Sequence, residues 1–163
     1  MGRMTNSQTN TTSGTAPQAA SSAHTSAHAA AGPAAPAPTV WPTLQAHDAH
    51  ALIDFLVEKI GFVRTAVYTD GDQVAHCQLD WPEGGGVMLG SYKPGGDWSR
   101  PPGAFGCYVV TSDVDGLYER VKAAGVTFVR DLADEDYGNR DFTISDPEGN
   151  LWCFGHYRGE PSP

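Results

Sequence analysis

The sequence predicts an α+β fold: two tandem βαβββ modules behind a disordered N-terminal tail. Three observations carry that prediction. The segment WPEGGGVMLG (Trp81 to Gly90) returns 65 residues later as DPEGNLWCFG (Asp146 to Gly155). In each copy a Pro-Glu-Gly turn feeds an apolar run that closes on glycine, the pattern of a hairpin turn before a buried strand. Other landmarks keep this offset to within one residue: Leu44 with Val109, Asp48 with Asp113, and Ile60-Gly61-Phe62 with Ala124-Gly125-Val126. Finally, residues 1 to about 38 hold no Leu, Ile, Val, Phe, Trp or Tyr. Such a segment has no apolar face whose burial could offset its ordering entropy.

The elements follow in order. Residues 1–38 are the tail, and residues 39–160 the folded domain, divided into a first module at 39–91, a linker at 92–103 and a second module at 104–158. In the first module Val40 to His47 reads as a strand. Asp48 is placed to cap a helix whose stripe Ile53, Leu56, Val57 and Ile60 has helical spacing, and Gly61 stops it. Strands near Phe62 to Tyr68, Gln73 to Trp81 and Gly86 to Ser91 follow, separated by the turn signals Asp70-Gly71-Asp72 and Pro82-Glu83-Gly84. The linker, YKPGGDWSRPPG, is too rich in Pro and Gly for regular structure. In the second module Ala104 to Thr111 is the strand, Ser112 or Asp113 the cap, and Val114, Leu117, Tyr118 and Val121 the helix stripe, with Gly125 as the stop. Strands near Thr127 to Arg130, Asp141 to Ser145 and Asn150 to Tyr157 complete it.

Composition narrows the function. All 19 acidic residues lie beyond residue 47 and the net charge is −9, which argues against nucleic acid and anionic membrane surfaces as partners. No stretch is long and apolar enough for a membrane span. A secretory signal is not expected either, because only Arg3 is basic and the alanines are interrupted by Ser, His and Pro. The tail's His24 and His28 read as solvated polar residues, and the run Asp134-Glu135-Asp136 as a solvated loop. Cys77, Cys107 and Cys153 form an odd set without metal-type spacing, each inside an apolar strand. They read as buried free thiols of a cytoplasmic protein.

Strand alternation sorts side chains by face. On the last strand of each module Val87 and Leu89, or Trp152 and Phe154, pack under a helix, leaving Met88 and Gly90, or Cys153 and Gly155, on the opposite face, where a cleft would lie. By the same alternation the first strands offer Trp41, Thr43 and Gln45, with Gly106, Tyr108 and Val110 as their partners. The third strands offer His76 and Gln78, with Asp141 and Thr143. Tyr92 and Trp98 of the linker add aromatic surface. His156 shares the parity of Phe154 and is expected on the helix side.

Two βαβββ units, the run SDVDGLYERVKAAGV and the DPEGNLW turn together resemble the vicinal oxygen chelate superfamily, the group of glyoxalase I, extradiol dioxygenases, fosfomycin resistance enzymes and the bleomycin resistance protein. The likeness covers residues 40 to 158. In metal-dependent members two ligands come from the first strands and two from the last, because a divalent cation with N and O ligands must hold and polarise the substrate. On this register the four positions are Trp41, Met88, Gly106 and Cys153, none an imidazole or a carboxylate. No metal site and no cofactor is therefore expected.

The resemblance then implies metal-independent binding or sequestration of a small aromatic or hydrophobic molecule by a homodimer. The expected ligand-binding residues are Trp41, Thr43, His76, Gln78, Met88, Trp98, Gly106, Tyr108, Asp141 and Cys153. The alternatives are a glyoxalase- or dioxygenase-type enzyme with a displaced metal built on His76, and a metal-free lyase or isomerase in which His76 and Asp141 serve as acid and base. A paralogue acting only through protein contacts is a third reading.

Overall fold

Aspartate starts both helices. Asp48 accepts the Ala51 amide at 3.0 Å and Asp113 the Gly116 amide at 2.9 Å, so each carboxylate satisfies an amide that the first turn leaves free. In the computed structural model, which describes residues 38–161, each helix backs one four-stranded sheet. The order is β1 (Thr43–Ala46), α1 (Ala49–Asp54) with a π-helical continuation (Phe55–Ile60), β2 (Val63–Asp70), β3 (Gln73–Asp80), β4 (Gly86–Ser91), β5 (Gly106–Val110), α2 (Val114–Ala123), β6 (Phe128–Asp134), β7 (Arg140–Ser145) and β8 (Leu151–Gly155). The tail expected over 1–38 lies, except for Pro38, outside the described residues. No helix among those residues is long and apolar enough to cross a membrane.

The two sheets share one topology. Their strand orders are β1-β4-β3-β2 and β5-β8-β7-β6, with the β1/β4 and β5/β8 pairs parallel and the others antiparallel. The registers repeat at the same offset: Thr43 faces Met88 on one ladder and Tyr108 faces Cys153 on the other. Leu44, Leu79, Val87 and Leu89 of the first sheet and Phe142, Ile144, Trp152 and Phe154 of the second are buried in one cluster with Leu52, Ile53 and Leu56 of the first helix and Val114, Leu117 and Val121 of the second. Phe62 and Trp81 join the two sets, with Phe62 5.7 Å from Trp152 and Trp81 6.1 Å from Phe154 between ring centroids. The core is thus continuous across the modules.

Several boundaries differ from the sequence expectation. β1 begins at Thr43, since Pro42 has no amide to donate and only its carbonyl pairs, with the Met88 amide at 3.0 Å. The first helix widens after Asp54, and Gly61 N donates to Leu56 O at 3.0 Å, a five-residue spacing. The wider turn rotates the residues after Asp54, and Val57 is only half-buried, while Leu52 in the regular part is buried. β6 runs on to Asp134, so the acidic run spans the strand end and the turn after it; Asp134 and Asp136 are exposed as expected, but Asp134 pairs with Arg140 at 2.8 Å and Glu135 with Arg130 at 2.6 Å. β8 ends at Gly155, so His156 escapes the strand's alternation and stands exposed, its Nε2 3.0 Å from Gly138 O. All three cysteines are free, as expected, but only Cys77 is buried.

The repeated turn has a function beyond turning. Glu148, in the second copy, accepts the Asp48 amide at 2.8 Å, ahead of the first helix. Glu83, in the first copy, accepts the Ser112 amide at 2.8 and 3.0 Å, ahead of the second helix. Each module's turn thereby places a carboxylate at the N-terminus of the other module's helix, where the helix dipole favours it. Lys59 to Ala124 O, at 3.0 Å, and Arg120 to Ile60 O, at 2.5 Å, tie the helix ends in the same crossed manner.

Candidate functional site

The faces turned away from the helices differ between the modules. On the first, a cavity of about 430 Å3 opens between β1, β3, β4 and the linker. Thr43 and Gln45 of β1 and Met88 and Gly90 of β4 form its floor, and Lys93, Trp98 and Arg100 come from the linker. A β-bulge shapes one wall: Thr69 pairs with Val74 and Tyr68 with His76, leaving Ala75 as the extra residue. Ala75 and His76, neighbours in sequence, both line the cavity for that reason. The His76 ring stacks on Tyr68 at 6.2 Å. Trp98 is 76% exposed, a large apolar ring held in water at the mouth.

The corresponding face of the second module is filled. Tyr108, which stands where the first module has Thr43, lies across Gly155, donates to Asn139 Oδ1 at 3.2 Å and accepts the Tyr157 amide at 3.0 Å. Asn139 donates in turn to Asp141 at 2.7 Å. Asp141 is only 1% exposed and is ion-paired with Arg130, whose guanidinium also approaches Cys153 Sγ at 3.8 Å. Gly155 is required here, because a Cβ at that position would run into the Tyr108 hydroxyl. Burial pushes the Tyr108 phenol and the Cys153 thiol up, despite the hydrogen bonds each receives. Burial also raises the Cys77 thiol, to about 11, against the pull of Arg64. Thiols so shifted stay protonated near neutrality and are poor nucleophiles.

The residues expected at a cleft are therefore divided. Thr43, His76, Met88 and Trp98 line the cavity. Tyr108, Asp141 and Cys153 belong to the second module's network, and Gly106 is exposed at the start of β5. Gln78 lies beside Met88 in the ladder, but its amide is held by Asp80 at 2.8 Å. Trp41 is half-buried over Gly86 and donates to Pro38 O at 3.2 Å. Tyr92 packs edge-on against His47 at 5.3 Å. His76 and Asp141 stand on different sheets, and no hydrogen bond joins them among the described residues. Sequence reasoning missed Lys93, Arg100, Ala75 and Arg130. The bulge that recruits Ala75 leaves no mark in the alternation, and the linker cations stand in a stretch read only as irregular.

The donor set does not fit a divalent metal. Among the described residues no three His, Cys, Asp or Glu side chains converge. Of the four ligand positions that the resemblance implies, Trp41 and Gly106 have no side chain able to ligate, Met88 is a soft thioether, and Cys153 is one protonated thiol beside a guanidinium; the residues that pair with Met88 and Cys153 in the ladders, Thr43 and Tyr108, add no imidazole or carboxylate.

Two four-stranded sheets of one topology, each with a parallel first-to-last strand pair and one helix, define the class of fold. Residues 27–154 match the Glyoxalase/Bleomycin resistance protein/Dioxygenase superfamily, and the chain belongs to that family. An uncharacterised protein of Mycobacterium bovis is 32% identical over 126 residues, 72% of this chain and 82% of that protein. Among solved structures, TioX from Micromonospora sp. ML1 is 28% identical over 72% of this chain and 98% of its own, with a TM-score of 0.59. TnmS3, an antibiotic binding protein from Streptomyces sp. CB03234, shares the fold at 23% identity and a TM-score of 0.59, over 70% of this chain and 90% of its own.

Proposed function

We propose that the chain binds a small planar or hydrophobic molecule, without a metal, in the cavity of its first module. The observation that carries this reading is the cavity itself. Its volume of about 430 Å3 falls within the range of small-molecule sites, and it joins apolar surface from Met88 and Ala75 to a few polar groups beside an exposed tryptophan. The donor set described above supports metal independence. The antibiotic-binding role printed for TnmS3 belongs to that protein; it accords with the reading at the level of fold.

The decisive experiment is a screen of aromatic compounds read by tryptophan fluorescence, with Trp98→Ala as the control. Quenching that the substitution weakens supports the site; no response to any compound overturns it. Elemental analysis of purified protein that returned one equivalent of nickel, zinc, iron or manganese would overturn metal independence.

A homodimer is part of the same proposal. Both sheets end in uncovered strands, and Val63, Tyr68 and Leu151 keep from 45% to 64% of their surface exposed. Analytical ultracentrifugation tests it, and a monomer at micromolar concentration is the contrary result. Three free thiols accord with a cytoplasmic location.

A further inference from the structure

The two cations left unengaged among the described residues both line the cavity. Every other Lys or Arg among the described residues is occupied. Arg64, Arg130, Arg140 and Arg158 pair with carboxylates. Lys59 and Arg120 hold main-chain carbonyls, and Lys122 sits 5.2 Å from the centre of the Tyr118 ring. Lys93 has no ion pair or hydrogen bond among the described residues, and the Arg100 guanidinium gives a single N–H, to Ser99 O at 2.7 Å. Both line the cavity, and no Asp or Glu does, although the chain's net charge is −9.

A protein with 19 acidic and 10 basic residues would be expected to neutralise its cations wherever carboxylates can reach them. Two cations left without a counter-charge, lining the same cavity as an exposed indole, leave donors free for an anion. A guanidinium presents a planar fork that suits carboxylate, phosphonate or sulfonate oxygens, and an ammonium adds a point charge. The indole supplies a stacking face for a ring.

We propose that the ligand of this cavity is a planar aromatic molecule bearing an anionic group, which Arg100 and Lys93 receive while Trp98 covers the ring. This inference rests on the small-molecule-binding reading above and adds the ligand's charge. The uncharged polar side chains of Thr43, Gln45 and His76 remain for orientation.

The test uses matched ring systems that differ only in charge, titrated calorimetrically into the full chain: 2-naphthoate, 2-naphthamide and 2-naphthylmethylammonium, and the same three groups on anthraquinone. The carboxylate is expected to bind about tenfold tighter than the carboxamide, the size of one charge-assisted contact at a partly exposed site. That preference should shrink at high salt. It should vanish in the double variant Lys93→Gln and Arg100→Gln, whose unchanged thermal unfolding midpoint certifies the fold. Equal or tighter binding of the carboxamide or ammonium would overturn the anion assignment and leave the binding reading in place. A carboxylate preference that survives in the double variant would overturn the role of these two residues. Failure of all six compounds to bind the wild-type chain would overturn both the assignment and the reading beneath it.

Discussion

Thr43 and Tyr108 occupy the same place in the two modules, one facing Met88 and the other Cys153 across a parallel ladder. Beneath them the backbones follow one plan, yet the first face holds a cavity and the second a hydrogen-bonded cluster. The difference lies in a few side chains. Thr43, with its small hydroxyl, and Gly90 both line an open cavity, whereas the Tyr108 ring crosses Gly155 to reach Asn139. Around it, Arg130 and Asp141 stand where the first module has Thr65 and His76. Duplicated architecture therefore does not imply duplicated sites, because each copy's open face is free to diverge once the helix side secures the fold.

The comparison can be broken most forcefully at its buried charge. Arg130→Met leaves Asp141, 1% exposed, without its counter-ion. Removing one partner of a buried pair costs about 3 kcal/mol, here reduced to ~2 kcal/mol because the Arg130 side chain is half-exposed. A fall in the urea midpoint is the measurement, and an unchanged midpoint would show that Asn139 alone satisfies the carboxylate.

Tyr108→Thr should convert the second face toward the first. Loss of the ring and of its two hydrogen bonds is expected to cost about 1.5 kcal/mol by thermal unfolding. The converse change, Thr43→Tyr, should fill the first cavity with little effect on stability. It should weaken binding of an aromatic probe by about tenfold, or ~1.4 kcal/mol. Undiminished binding would place the ligand elsewhere.

The smallest effects should come from the crossed glutamates. Glu83→Gln and Glu148→Gln are each expected to cost about 1 kcal/mol, as for loss of a charged group at a helix start. Glu83 also has a pH signature. Burial raises its carboxyl, but hydrogen bonds from Thr111 and Ser112 and the nearby Arg158 outweigh this and hold it below the ordinary carboxylate value. A depressed value means that its contribution is complete above the ordinary carboxylate range and is lost as pH falls through that range and below it. Stability measured against pH should fall less steeply on acidification in Glu83→Gln than in the wild type.

Much of the fold was legible in particular residues. β4 runs from Gly86 to Ser91 as its turn signals and closing serine indicate, and Trp152 and Phe154 are fully buried as alternation on β8 requires. Asp48 and Asp113 cap as their position before an apolar stripe implies. The site was less legible. His76 lines the cavity on the face that alternation gives it, but Ala75 joins it beside a bulge that period-two reasoning does not contain. Arg130, placed at the end of a strand that in fact continues, reaches Asp141 across the sheet. The glutamates of the two turns were visible as a repeated letter, but their partners lie 29 and 100 residues away.

By itself the sequence determined what depends on near neighbours: where helices start and stop, which strand residues face the core, and that two copies of one unit are present. Alternation, capping and turn chemistry act within a few residues, so a linear string records them. Only the tertiary structure decided which of two equivalent faces is open. That outcome depends on whether side chains distant in sequence fill a shared volume and satisfy one another's charges. Tyr108 meets Asn139 across 31 residues, and Lys93 and Arg100 remain without a carboxylate.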